Sequence, residues 1–212
     1  MRQLPNLLTG ARLVLSLAVF LALATAGGAT PWLSDLVTGP ASYALTAWAF
    51  AAFVVAAVTD FFDGWLARRF GATSLLGAIL DPIADKVLVC AAALGLMALA
   101  PNPPIVIPLG LILFREFAVS ALREVCAGRN VSLPVTLLAK WKTTLQLVAL
   151  GAELLAAAWL GFGLPEAPAV VAAFAIAAHT LLWAAAVVTL VTGTQYAMQA
   201  ARALSAPEPP KG

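Results

Sequence analysis

Residues 60–85 hold four aspartates, Asp60, Asp63, Asp81 and Asp85, between long apolar runs. A carboxylate at the bilayer centre costs about 2.5–3.5 kcal/mol on insertion scales, so four left unmatched would cost roughly 10–14. Any fold of this chain must supply them with a metal, a basic partner or a water-filled cavity at the membrane face. Their spacing says which of them can meet. Asp60, Asp63, Gly64, Ala67 and Arg68 fall on one face of a helix. Gly77, Asp81 and Asp85 stand four apart and share another. Two helices turning these faces together would gather four carboxylates around one point. Gly64, Ala67 and Gly77 add no bulk there, which leaves room for a ligand or a close helix. Oxygen donors with no His or Cys beside them favour a hard cation, Mg2+ or Mn2+, over zinc. Such an ion commonly completes its shell with substrate phosphates, and Arg68 is on the right face to hold one. The plainer alternative is a set of helix-end charges at the membrane surface.

The surrounding sequence makes the membrane reading hard to avoid. Of 212 residues, 62% are hydrophobic and 10% are charged, against about 25% charged in a soluble domain. The expectation is an all-α polytopic membrane protein, one domain over residues 1–204, with a disordered tail at 205–212. A net charge of +2 gives no reason to expect a nucleic-acid partner. Cys90 and Cys126 have no disulfide logic and read as packing residues.

Residues 1–12 are weakly amphipathic and predict a short N-terminal interfacial helix. An apolar run at 13–26 ends Ala-Thr-Ala-Gly. A cleaved secretory leader is the alternative there, although a polytopic remainder needs none. Residues 27–40 read as an exposed loop. Further spans are expected at 41–66, 75–100, 105–126, 140–162 and 169–196, six in all, with a kink at Pro82. Arg2, Arg12, Arg68, Arg69, Arg123, Arg129, Lys140, Lys142, Arg202 and Lys211 then fall on one side, with Lys86 and Arg115 inside spans near it. The opposite loops carry only Asp35 and Glu166. Both termini and the aspartate cluster are therefore expected on the cytoplasmic side. Trp32 and Trp159 mark the outer interface and Trp65 and Trp141 the inner one, with Trp48 and Trp183 expected to pack deeper. His179 and Glu153, mid-span, are expected to make hydrogen-bonded helix contacts rather than chemistry.

A second polar set comprises Arg115, Arg123, Arg129, Lys140 and Lys142. Arg115 and Arg123 are eight apart and share a helix face. A flank of positive charge explains Arg129. It explains Arg115 less well, because that residue lies a turn or two inside a span and so calls for an anion. A phosphate on a water-soluble second substrate would suit it, with lysines as point charges beside it.

The pattern D-x-x-D-G-x-x-A-R-x8-G-x-x-x-D-x-x-x-D, filled by Asp60, Asp63, Gly64, Ala67, Arg68, Gly77, Asp81 and Asp85, resembles the signature of the CDP-alcohol phosphatidyltransferase family at every fixed position. Pro5 to Thr9, Arg12, the segment from Arg115 to Glu124 and that from Lys140 to Gln146 resemble the branch of the family that makes phosphatidylglycerophosphate. The resemblance covers roughly residues 1–150. It implies an enzyme of phospholipid synthesis in the bacterial cytoplasmic membrane, facing the cytoplasm and commonly homodimeric. Its substrates would be CDP-diacylglycerol and sn-glycerol 3-phosphate, with two divalent ions. It implies Asp60, Asp63 and Asp81 as metal ligands, and Asp85 both bridging a second ion and serving as general base. Asn6, Asp60, Gly64, Ala67, Arg68 and Gly77 would bind the CDP-lipid. Arg115, Arg123, Lys140 and Lys142 would bind the phosphate of the acceptor. Cardiolipin and phosphatidylinositol-phosphate synthases are the alternatives within the family. A divalent-cation transporter is the alternative outside it.

Overall fold

The computed structural model describes residues 4–70, 75–129, 131 and 137–205. The side chains of 4–6, 60–79, 81 and 137–140 lie outside the described set. Every described element is a helix: α1 (Leu4–Ala26), α2 (Pro31–Ser34), α3 (Pro40–Phe70), α4 (Leu75–Leu99), α5 (Pro103–Gly128), α6 (Leu137–Ala157) and α7 (Pro168–Ser205). Four of them, α2, α3, α5 and α7, open on proline, whose missing N–H would have had no helical partner at that position. α1 is stopped by Gly28 at φ +79°. Gly28 N–H reaches Thr25 O at 3.1 Å and Ala29 N–H reaches Ala24 O at 2.8 Å, the paired bonds of a left-handed helix cap.

α1 lies against α3 and α4, while α5 and α6 lie against α7; α3–α6, α4–α5 and α4–α6 contacts join the two groups. The shared core contains Leu23, Phe53, Leu96, Leu109, Ile112, Leu150, Leu154 and Leu182 among many alanines. In lipid such a core gains from close packing rather than from escape from water. Glycine sets the α1–α4 approach: a Cβ at Gly95 would stand 2.6 Å from Leu23 Cδ1, and one at Gly27 would stand 2.5 Å from Ala98 O. Val14, Leu17, Phe114 and Ile176 are exposed on the outside, as lipid-facing side chains should be.

The structure departs from the expected layout in several places. The interfacial segment at 1–12 and the apolar run at 13–26 are not separate elements, because one helix runs from Leu4 to Ala26. The loop at 27–40 contains the single turn α2. α7 continues to Ser205, well past the expected end near 196. Among the described residues five helices, α1, α3, α4, α5 and α7, are long and apolar enough to cross a membrane. α6 has the length, about 31 Å, but carries Lys142, Gln146 and Glu153. All three are buried against its neighbours, so its polarity faces inward. Trp48 and Trp183 are exposed on the outer surface rather than packed inside, and Trp32 is almost wholly exposed. α4 continues through Pro82 as one helix.

Candidate active site: a basic cavity between α4, α5, α6 and α7

Where α4 to α7 converge they enclose a cavity of about 450 Å³. α4 contributes Asp85 and Lys86, α5 contributes Arg115, Glu116, Ser120 and Arg123, α6 contributes Lys142, Thr143 and Gln146, and α7 contributes Tyr196. The spacing explains the convergence. Residues 115, 119 and 123 recur every four along α5, and 142 and 146 do so along α6, so each set lies on one helix face.

The buried polar groups of this cavity form one network. Glu116 Oε1 accepts from Arg115 Nη1 at 3.1 Å, from Lys142 Nζ and from Gln146 Nε2 at 3.3 Å. Gln146 Nε2 also donates to Thr189 Oγ1 at 2.8 Å, and Arg115 Nη2 donates to Thr192 Oγ1 at 3.0 Å. Three helices, α5, α6 and α7, are thus tied by hydrogen bonds to charged groups, each worth about 1.5–3 kcal/mol. Arg115 is only 6% exposed and Lys142 only 5%. Glu116 supplies the anion that two buried cations require when no substrate is bound. The guanidinium centres of Arg115 and Arg123 lie 5.8 and 5.4 Å from the centroid of the Tyr196 ring.

α1 reaches the same region. Arg12, buried on α1, donates from Nη1 to Asp85 Oδ1 at 3.5 Å, while the Asp85 side chain is half exposed.

Of the residues expected at the site, Asp85, Arg115, Arg123 and Lys142 border this one cavity. Asp60, Asp63, Gly64, Ala67 and Arg68 lie on the helical backbone of α3, Gly77 and Asp81 on that of α4, Asn6 on α1 and Lys140 on α6. Their side chains lie outside the described residues. Among the described residues no three His, Cys, Asp or Glu side chains form a metal-holding group; of the four aspartates only Asp85 is in that set. The residues that sequence reasoning did not assign are Glu116, Gln146, Thr189, Thr192 and Tyr196. A signal existed for Glu116 and Gln146, since a strongly polar side chain inside an apolar helix needs a partner.

Away from the cavity, His179 Nδ1 and Glu153 Oε1 meet at 2.7 Å between α7 and α6, the helix contact expected of both. Cys90 and Cys126 are free thiols, the latter fully buried.

Fold and cavity together define a membrane protein built of helices, with a cavity lined by both basic and acidic side chains. The model of the CDP-alcohol phosphatidyltransferase family matches residues 2–191. A protein of Rickettsia felis is 36% identical over 195 residues, 92% of this chain and 93% of that protein. One of Rickettsia typhi is 42% identical over 144 residues, 68% and 75% of the two chains. One of Cereibacter sphaeroides is 50% identical over 113 residues, 53% of this chain and about half, 49%, of the relative. All three are named CDP-diacylglycerol–glycerol-3-phosphate 3-phosphatidyltransferase. The chain belongs to the CDP-alcohol phosphatidyltransferase family, whose members are generally dependent on divalent metal.

Proposed function

We propose that this protein transfers the phosphatidyl group of CDP-diacylglycerol to sn-glycerol 3-phosphate, giving phosphatidylglycerophosphate and CMP. The observation that carries the reading is the gathering of Arg115, Arg123 and Lys142 around one cavity beside Asp85. Three cations, two of them buried, form a site for a small phosphorylated acceptor rather than for a neutral one. The names of the bacterial relatives agree with that acceptor. A cation-transport pathway is disfavoured by the same basic lining.

The donor set of Asp60, Asp63, Asp81 and Asp85 is all carboxylate, and such a set fits Mg2+ or Mn2+, two ions in this reading. When bound, the metal neutralises the pyrophosphate of the CDP-lipid. Asp60, Gly64, Ala67, Arg68, Gly77 and Asn6 are assigned to the CDP group in this reading. Arg115, Arg123, Lys142 and Lys140 hold the acceptor phosphate and so orient its terminal hydroxyl. Asp85 takes the proton of that hydroxyl, and Arg12 steadies its carboxylate. The acceptor oxygen forms a bond to the lipid-bearing phosphorus as the bond to the CMP oxygen breaks. Phosphoryl transfer of this kind depends on placement and charge more than on covalent help. Both termini, the cavity and the aspartates face the cytoplasm of a bacterial membrane, and the working unit is a homodimer.

Purified protein in detergent–lipid micelles, given CDP-diacylglycerol, Mg2+ and a panel of acceptors, tests the reading. CMP release is expected with glycerol 3-phosphate. The reading is lost if glycerol 3-phosphate releases none while phosphatidylglycerol or inositol phosphate does.

A further inference from the structure

We propose that Tyr196 is the positioning residue that sets acceptor affinity: its ring holds the Arg115 and Arg123 guanidiniums where both converge on one phosphomonoester. The inference rests on the acceptor reading above. Thr189, Thr192, Gly193 and Tyr196 fall at intervals of three, four and seven, so they form one face of α7, and that face meets α5. Tyr196 is 4% exposed. Both guanidinium centres lie within 6 Å of its ring, at 5.8 and 5.4 Å. Two cations brought to one ring repel each other. The ring's negative face attracts both, and a dianion bound between them turns the repulsion into a bridge.

The remaining contacts fix Arg115 alone. Its Nη1 donates to Glu116 and its Nη2 to Thr192, while its buried Nε–H has no acceptor among the described residues. Gly193 leaves the space this side chain needs, since a Cβ there would stand 2.8 Å from Arg115 Cγ and 3.2 Å from Nε.

Steady-state CMP release by the full-length protein, with each substrate varied in turn, tests this. Tyr196→Leu should raise KM for glycerol 3-phosphate roughly tenfold, from the loss of two cation–π contacts. KM for CDP-diacylglycerol should stay within twofold, and kcat within threefold. Tyr196→Phe should restore the acceptor KM, because the ring and not the hydroxyl acts. Gly193→Ala, which crowds Arg115 without touching Tyr196, should give the same acceptor-only signature and serves if the leucine variant does not fold. The proposal is overturned if the acceptor KM is unmoved, if both KM values rise together, or if Tyr196→Phe is as impaired as Tyr196→Leu. Should the wild type release no CMP with glycerol 3-phosphate, the functional reading fails by itself. Stabilisation of the melting temperature by inorganic phosphate then decides the positioning claim, which stands if Tyr196→Leu or Gly193→Ala weakens it and falls if neither does.

Discussion

Asp85 is the residue at which the two halves of the site meet. It shares a helix face with Gly77 and Asp81 on α4, accepts from Arg12 of α1 at 3.5 Å, and borders the basic cavity. Asp85→Asn keeps the size and removes the charge, so CDP-diacylglycerol should still bind while CMP release falls by about 10²–10⁴, the usual worth of a general base. Equilibrium binding of labelled CDP-diacylglycerol beside single-turnover CMP release would check both halves. Loss of neither would remove Asp85 from its role. The charge of Asp85 was visible in the sequence because an aspartate in apolar surroundings is expensive. Its link to Arg12 was not, because the two stand 73 residues apart and only helix packing joins them. The same holds for Glu153 and His179. Each reads as a helix contact by itself, and the 2.7 Å bond between them follows from how α6 lies on α7.

At the scale of the element, α1 is the piece whose role changes most once the fold is known. An interfacial segment followed by a span became one helix, Leu4–Ala26, held along α4 so that Arg12 reaches Asp85. Glycine makes that contact possible. Gly27 lets the end of α1 approach α4, and a methyl group there would stand 2.5 Å from Ala98 O and 2.6 Å from Leu99 Cα. Both are backbone atoms and cannot turn aside. Gly27→Ala should therefore cost about 1–3 kcal/mol, the usual penalty of overpacking, read as a lower melting temperature in detergent. An unchanged melting temperature would mean that α1 is not seated on α4 as described. α7 shows the opposite case. It carried no recognised motif, yet its Tyr196 borders the cavity and its Thr189 and Thr192 accept from Gln146 and Arg115. The stripe was present in the sequence, but threonine and glycine are ordinary residues of membrane helices, so their spacing alone does not announce a site.

For the whole molecule the governing quantity is the distribution of charge between the two ends of the bundle. The turns between α1 and α3, α4 and α5, and α6 and α7 carry Asp35 and Glu166 and no lysine or arginine. Among the described residues Arg123 and Arg129 at the close of α5, Lys142 near the start of α6 and Arg202 near the close of α7 stand at the other end. Helix α7 is about 57 Å long against a hydrocarbon core of about 30 Å, so a substantial part of it must stand outside the core. Positive flanks are as a rule retained in the cytoplasm, so the proposed orientation places the C-terminal end of α7, the cavity and the soluble acceptor on that side. That arrangement lets a water-soluble phosphate reach buried arginines without crossing the bilayer. In a background with Cys90 and Cys126 replaced by alanine, Glu166→Cys should react with a membrane-impermeant maleimide on intact cells. Ser205→Cys should react only after permeabilisation. Both positions are exposed in the fold, so failure to label reports on sidedness and not on burial. The reverse pattern would turn the bundle over, and would leave the basic cavity facing a compartment without cytoplasmic glycerol phosphate.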